Sequence, residues 1–250
     1  ILFICSILAT SQAFIPTLFA VFFSAIFIYC FSSLVVNKFK NLKRVVVLLI
    51  VILITNIFWI LPAGYSFLTH SKEVANAKNY QMASNDIFYR NKKYGDLFSM
   101  ALIKGVVLDY KATEFKSAST HYMIWPWLNH INSLYFKIPA WIFFFLALIG
   151  LYKTIKNRNK DHVPFAILFL FAFFMMGTDI PIINIPVNLL RQYIPLFATI
   201  FRFTFTKFSI LYVFSYSIML ALGIFYLINL NNKIVIKKII YGGAVLLIFI

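Results

Sequence analysis

Apolar runs too long for a soluble core alternate with short loops whose charge is nearly all Lys or Arg, and those basic loops fall at every second boundary. Such a chain is constrained to cross a bilayer repeatedly as helices, because a backbone in hydrocarbon must satisfy its hydrogen bonds internally. Composition agrees: 62% of the residues are hydrophobic and only 12% are charged, where an ordinary soluble domain carries about 25% charged residues. Cys5 and Cys30 both lie within apolar runs and lack metal-ligand or disulfide-framework spacing, so they read as packing thiols. The net charge of +16 raises nucleic acid as a partner, but eleven of the 23 basic residues sit in three short loops beside apolar runs. Membrane orientation explains them more simply, and nucleic-acid binding is discarded.

Ile1 to Ala9 reads as the tail of a helix, since no basic segment or Met precedes it. With Ile250 also falling inside an apolar run, a fragment is expected. Phe14 to Val36 is a first full span, long enough for roughly 30 Å of hydrocarbon. After Lys38, Lys40, Lys43 and Arg44, a second span runs from Val45 to Leu61, ending at Pro62-Ala63-Gly64 with Trp59 as an interfacial anchor. The third, Phe136 to Tyr152, leads into Lys153, Lys156, Arg158 and Lys160. The fourth, Val163 to Gly177, is short for a crossing unless Thr178 and its neighbours extend it. Phe208 to Leu230 is the fifth, followed by Lys233, Lys237 and Lys238, and Ile239 to Ile250 opens another.

The expected fold is therefore an all-α, polytopic helical membrane bundle, with about five complete and two truncated transmembrane helices and one long extracytoplasmic loop. Its parts are residues 1–63 (transmembrane), 64–135 (extracytoplasmic, with short helices) and 136–250 (transmembrane). If the three basic clusters are cytoplasmic, two crossings separate each from the next, and the assignment is self-consistent. Gly64 to Tyr135 and Thr178 to Lys207 then lie outside. Residues 180–201 are apolar but contain Pro181, Pro186, Pro195, Asn184, Asn188 and Arg191, so a helix there is repeatedly broken. They read as a re-entrant or interfacial segment against the outer leaflet. Within the long loop, Asp96 is placed to cap a helix from Leu97 to Leu108.

None of the seven acidic residues falls deep in a span, which weakens an ion-coupled transporter. The cluster that points to chemistry is Arg191, Arg202 and Lys207 with Asp179, all mapping to the outer face near the membrane surface. Fixed positive charge at that depth suits a phosphate or pyrophosphate joined to a lipid. The simpler alternative is that Arg202 and Lys207 snorkel to phospholipid headgroups. On a regular helix the two would point roughly 140° apart, so they converge only if Phe203 to Thr206 is irregular. His70, His121 and His130 lack the spacing of a metal site and read as loop histidines. Trp125 and Trp127, with Tyr122 and Tyr135, read as an aromatic belt where the loop re-enters the membrane, with sugar-ring stacking as the alternative. No phosphate loop, nucleophile elbow or H-E-x-x-H motif is present.

Two stretches carry a family resemblance. Asn56-Ile57-Phe58-Trp59-Ile60-Leu61-Pro62 resembles the N-x-x-W-x-x-P element of large multi-spanning bacterial membrane proteins. Phe201-Arg202-Phe203-Thr204-Phe205-Thr206-Lys207-Phe208, opening a span that ends in Ala221-Leu222-Gly223, resembles their Arg...Lys-Phe segment. These proteins include the arabinofuranosyltransferase-like GT-C glycosyltransferases and related uncharacterised polytopic proteins. The resemblance implies transfer of a sugar from a polyprenyl-phosphate donor to a cell-envelope glycan on the outer face of a bacterial inner or plasma membrane. Arg202, Lys207 and Arg191 would hold the donor phosphate, and Asp179, Trp125 and Trp127 would contact acceptor or sugar. The acidic motif of the family's first outer loop is missing and is expected upstream of Ile1, so the catalytic residue is unknown. No cofactor is evident, and a divalent metal ion remains an open alternative. The competing expectations are a lipid or polysaccharide transporter and a non-catalytic scaffold.

Overall fold

A computed structural model describes residues 16–76, 85–113 and 120–230. The expected helix segments Ile1 to Ala9 and Ile239 to Ile250, with Lys233, Lys237 and Lys238, lie outside the described residues.

Five apolar helices form the body: α1 (Pro16–Val36), α2 (Leu42–Asn76), α6 (Leu134–Asn157), α7 (Val163–Met176) and α11 (Ser209–Leu230). Four of them, all but α7, are long and apolar enough to cross a membrane. Several of their hydroxyls are satisfied locally: Ser24, Ser32, Thr55 and Ser215 each donate to a carbonyl three or four residues earlier. That is how a hydroxyl is accommodated in an apolar helix without water. At 14 residues, α7 is about 21 Å long. It stops at Met176, and the extension through Thr178 does not form.

Two expected boundaries are corrected. Pro62 does not end the second apolar helix; α2, 35 residues in all, runs on to Asn76 with Pro62 inside it, so the boundary expected between residues 63 and 64 falls within a helix. Proline removes one backbone donor, whereas ending the helix would strip partners from several groups at once. The helix capped by Asp96 is also shorter than expected. The cap itself is present, the Asp96 carboxylate accepting from the Ser99 N–H at 2.6 Å. The helix, α4 (Leu97–Ala101), ends because Ile103 turns left-handed at φ 52°. The Lys104 N–H then reaches back to the Ser99 carbonyl at 2.8 Å, the six-to-one bond of a Schellman stop.

Between α2 and α6 lie α3 (Asn85–Asn91), α4, an antiparallel hairpin of β1 (Lys111–Thr113) and β2 (Thr120–Tyr122), and α5 (Trp125–Asn132). The hairpin register pairs Lys111 with Tyr122 and Thr113 with Thr120. Between α7 and α11 the prolines break the chain as expected, one at the start of each of α8 (Ile185–Tyr193) and α9 (Pro195–Ile200), and the single turn α10 (Thr204–Lys207) follows the extended Phe203.

The core runs through α6, α7 and α11, around Phe169, Ala147, Ala172, Tyr212 and Met219. Helices α6 and α11 make the closest approach. A Cβ on Gly150 would run into the Met219 carbonyl oxygen, and one on Gly223 into that of Leu146. Glycine at both positions lets the backbones touch, the small-residue packing that apolar helices use in place of a hydrophobic driving force.

Candidate functional site

The four charged residues expected to cluster fall into distinct environments. Asp179 pairs with Lys92 at 3.2 Å. Beside it the Thr178 hydroxyl donates to the Lys92 carbonyl at 2.8 Å, and the Asp179 N–H to that of Gly95 at 3.3 Å. Arg191, on α8, lies over the Phe88 ring at 3.9 Å from its centroid and donates to Asn85 at 3.3 Å. Burial lowers the Arg191 pKa from its usual value, although guanidinium stays charged in the physiological range. With the Tyr212 hydroxyl donating to the Met100 carbonyl at 3.2 Å, these contacts fasten residues 85–104 onto the ends of α7, α8 and α11. Asp179 and Arg191 thus serve as latches for the connecting segment.

Arg202 and Lys207 sit differently. Arg202 is exposed in the turn after α9. Phe203 is extended at φ −127° and ψ 90°, so the irregularity required for Arg202 and Lys207 to turn toward one side is present. Lys207, partly buried, lines a cleft of about 730 Å³. Its other walls are apolar: Leu18 to Cys30 from α1, Leu48 and Ile52 from α2, Phe165 and Leu168 from α7, Ile210 to Phe214 from α11. Leu18 and Cys30 are twelve residues apart, so the α1 wall is about 18 Å long. Lys207 is the one charged residue in that lining. The ion pairs among the described residues join Lys92 to Asp179 and Lys104 to Asp109, and neither involves Lys207. A long apolar cleft with a single ammonium in its lining offers apolar walls to a hydrocarbon chain and one cation to an anionic group.

The cleft was not legible in the sequence, because its walls come from four segments of which only the last is near Lys207 in the chain. Neither were Phe88 and Asn85 as partners of Arg191. The N-x-x-W stretch has a structural explanation: the Trp59 Nε1–H donates to Asn56 Oδ1 at 2.9 Å, Asn56 donates to the Ile52 carbonyl at 2.8 Å, and the Trp59 ring meets Phe19 edge-on at 4.6 Å. It satisfies two polar side chains and ties α2 to α1. Trp125 and Trp127 stand at the start of α5, both more than half exposed. Among the described residues no three His, Cys, Asp or Glu side chains come together as metal ligands.

No family model matches the chain, and neither a curated protein nor a solved structure does.

Proposed function

We propose that this chain is part of an integral, multi-pass bacterial membrane glycosyltransferase of the GT-C type, moving a sugar from a polyprenyl-phosphate donor to a cell-envelope glycan on the outer face. The observation that carries the proposal is a single lysine, Lys207, in the lining of an otherwise apolar cleft whose walls include three helices long enough to span a bilayer, α1, α2 and α11. The lipid chain would lie along α1, and the phosphate would meet Lys207, with Arg202 nearby in sequence. In the reaction a carboxylate takes the acceptor hydroxyl proton and the oxygen attacks the anomeric carbon. The bond from that carbon to the phosphate oxygen breaks, and the departing phosphate takes the electron pair. Positive charge fixed where that phosphate develops is the contribution asked of Lys207 and Arg202; the carboxylate is unassigned in this chain.

The test uses the whole protein in vesicles with a photoactivatable polyprenyl phosphate and, separately, a polyprenyl-phosphate-linked sugar with envelope glycan as acceptor. Crosslinks are expected on α1 and α11. Lys207→Ala and Arg202→Ala are each expected to lower transfer by roughly 10²–10³-fold, with Lys207→Arg recovering part of it. Unchanged crosslinking and transfer in both alanine variants would remove these residues from the site. The length of the cleft along α1 also favours a second reading, passage of a lipid between leaflets. Movement of a fluorescent lipid phosphate across the vesicle without any acceptor would replace the enzyme reading with that one.

A further inference from the structure

A separate surface lies on the connecting segment, away from the residues that line the cleft. Its rings make two runs of contacts, the second of which leads to the start of α6. The Lys111 ammonium lies 5.0 Å from the centroid of Tyr122, and Tyr122 stacks on Trp125 at 5.9 Å and 17°. Trp127 meets His130 edge-on at 6.1 Å, and His130 meets Phe136, in the first turn of α6, at 5.4 Å. Met123, Trp125, Trp127, Leu134 and Tyr135 are all more than half exposed, Tyr135 at 84%. On α5, Leu128 and Ile131 are buried, so one side of this helix is used for packing while its tryptophans face outward. Contiguous exposed apolar surface of this kind marks a partner.

Two features identify that partner. Tryptophan and tyrosine beside lysine is the chemistry of the bilayer interface, where the ring lies among esters and the ammonium reaches phosphate. Among the described residues of this surface the charge is positive: Lys111 is on strand β1, and Lys137 lies over Phe98 at 5.2 Å from its centroid. The nearby Asp109 is already paired with Lys104 at 3.0 Å.

We infer that the β1–β2 hairpin, α5 and the first turn of α6 form a foot resting in the headgroup layer of the membrane, with anionic phospholipid as its partner. The inference rests on the reading that α6 spans the bilayer and is independent of sugar transfer. The foot sets the height of the connecting segment above the lipid. It also spends Trp125 and Trp127 on the membrane, where the alternative use is stacking on a sugar.

The chain has four tryptophans, and replacing three at a time by Phe leaves the full chain with a single reporter. Trp141 lies seven residues beyond Leu134 on α6, about 10 Å deeper along the helix. The forms retaining Trp125, Trp127 or Trp141 are placed in phosphatidylcholine vesicles brominated either near the top of the acyl chain or near its middle. Trp125 and Trp127 are expected to lose most of their emission to the shallow bromine, and Trp141 to the deep one. Adding phosphatidylglycerol is expected to increase quenching of Trp125 and Trp127, and Lys111→Gln with Lys137→Gln to abolish that increase while leaving Trp141 unchanged. Trp141 quenched with Trp125 and Trp127 unaffected would overturn the foot and leave the span standing. An unquenched Trp141 would overturn the span and the foot with it. A blue shift of Trp125 on adding soluble oligosaccharide, without lipid quenching, would overturn the foot in favour of a sugar platform.

Discussion

Helix α2 and the α6–α11 pair are made of the same kinds of residue and are held in opposite ways. Along α6 and α11 two glycines bring the backbones together, and Phe144, Ala147, Thr154, Tyr212 and Met219 are buried around them. Helix α2 is longer than either, yet only Ile52 and Asn56 are buried among its described side chains, and it leans on α1 through Trp59 and Phe19. An apolar helix needs no protein partner to stay helical when its surroundings are apolar, so length says nothing about attachment. The cleft consequently has a firm side, from α1, α7 and α11, and a lightly held side from α2. On the proposed function, a lipid chain entering from the bilayer would meet the light side at lowest cost.

That contrast is open to direct attack. The largest effect is expected at the glycine crossing: Gly150→Leu or Gly223→Leu forces α6 away from α11 and should destabilise by about 3 kcal/mol or more, read as thermal unfolding in detergent. A tolerated leucine would mean the helices do not approach this closely. Next, Tyr212→Phe removes one donor to the Met100 carbonyl and should cost about 1 kcal/mol, the net worth of one hydrogen bond, since the carbonyl keeps the Ile103 N–H at 3.2 Å. A smaller loss, near 0.6 kcal/mol, is expected for Asn56→Leu, as hydrogen bonds in membrane helices are individually weak. Its more telling consequence would be faster lipid crosslinking in the cleft, because the support of Trp59 on α2 is loosened; unchanged crosslinking would show that α2 is not the yielding wall. The smallest effect belongs to Lys92→Met. Its bridge to Asp179 is partly exposed on both sides, and such pairs contribute under about 1 kcal/mol and fade with salt.

Local chemistry made parts of the fold readable in advance. Phe14 to Val36 and Phe208 to Leu230 were expected spans; α1 ends at Val36 and α11 begins at Ser209, while their other ends border residues outside the described ones. Asp96 caps a helix because its carboxylate reaches an N–H three residues on, a contact that needs nothing distant. The prolines of residues 180–201 break that stretch at Ile194, where Pro195 begins a new helix. Errors came where a neighbour outvoted a local signal. Pro62 punctuates most chains but is absorbed by α2, and Ile103 takes a left-handed turn that a β-branched residue ordinarily avoids. At the candidate site the signs of the charges were legible and their partners were not: Asp179 goes to Lys92, Arg191 to Phe88 and Asn85, and Lys207 to an apolar cleft.

The sequence alone determined that this chain is largely apolar helix, where the long apolar helices lie, and which loops carry its positive charge. These follow from hydropathy summed over a few turns and from caps that act across three or four residues. Only the tertiary structure decided which charges latch the connecting segment, that Gly150 and Gly223 face one another, and that Lys207 alone supplies charge to a cleft walled by α1, α2, α7 and α11. Those outcomes depend on which helix faces meet, and that choice is set by packing shared between segments far apart in the chain.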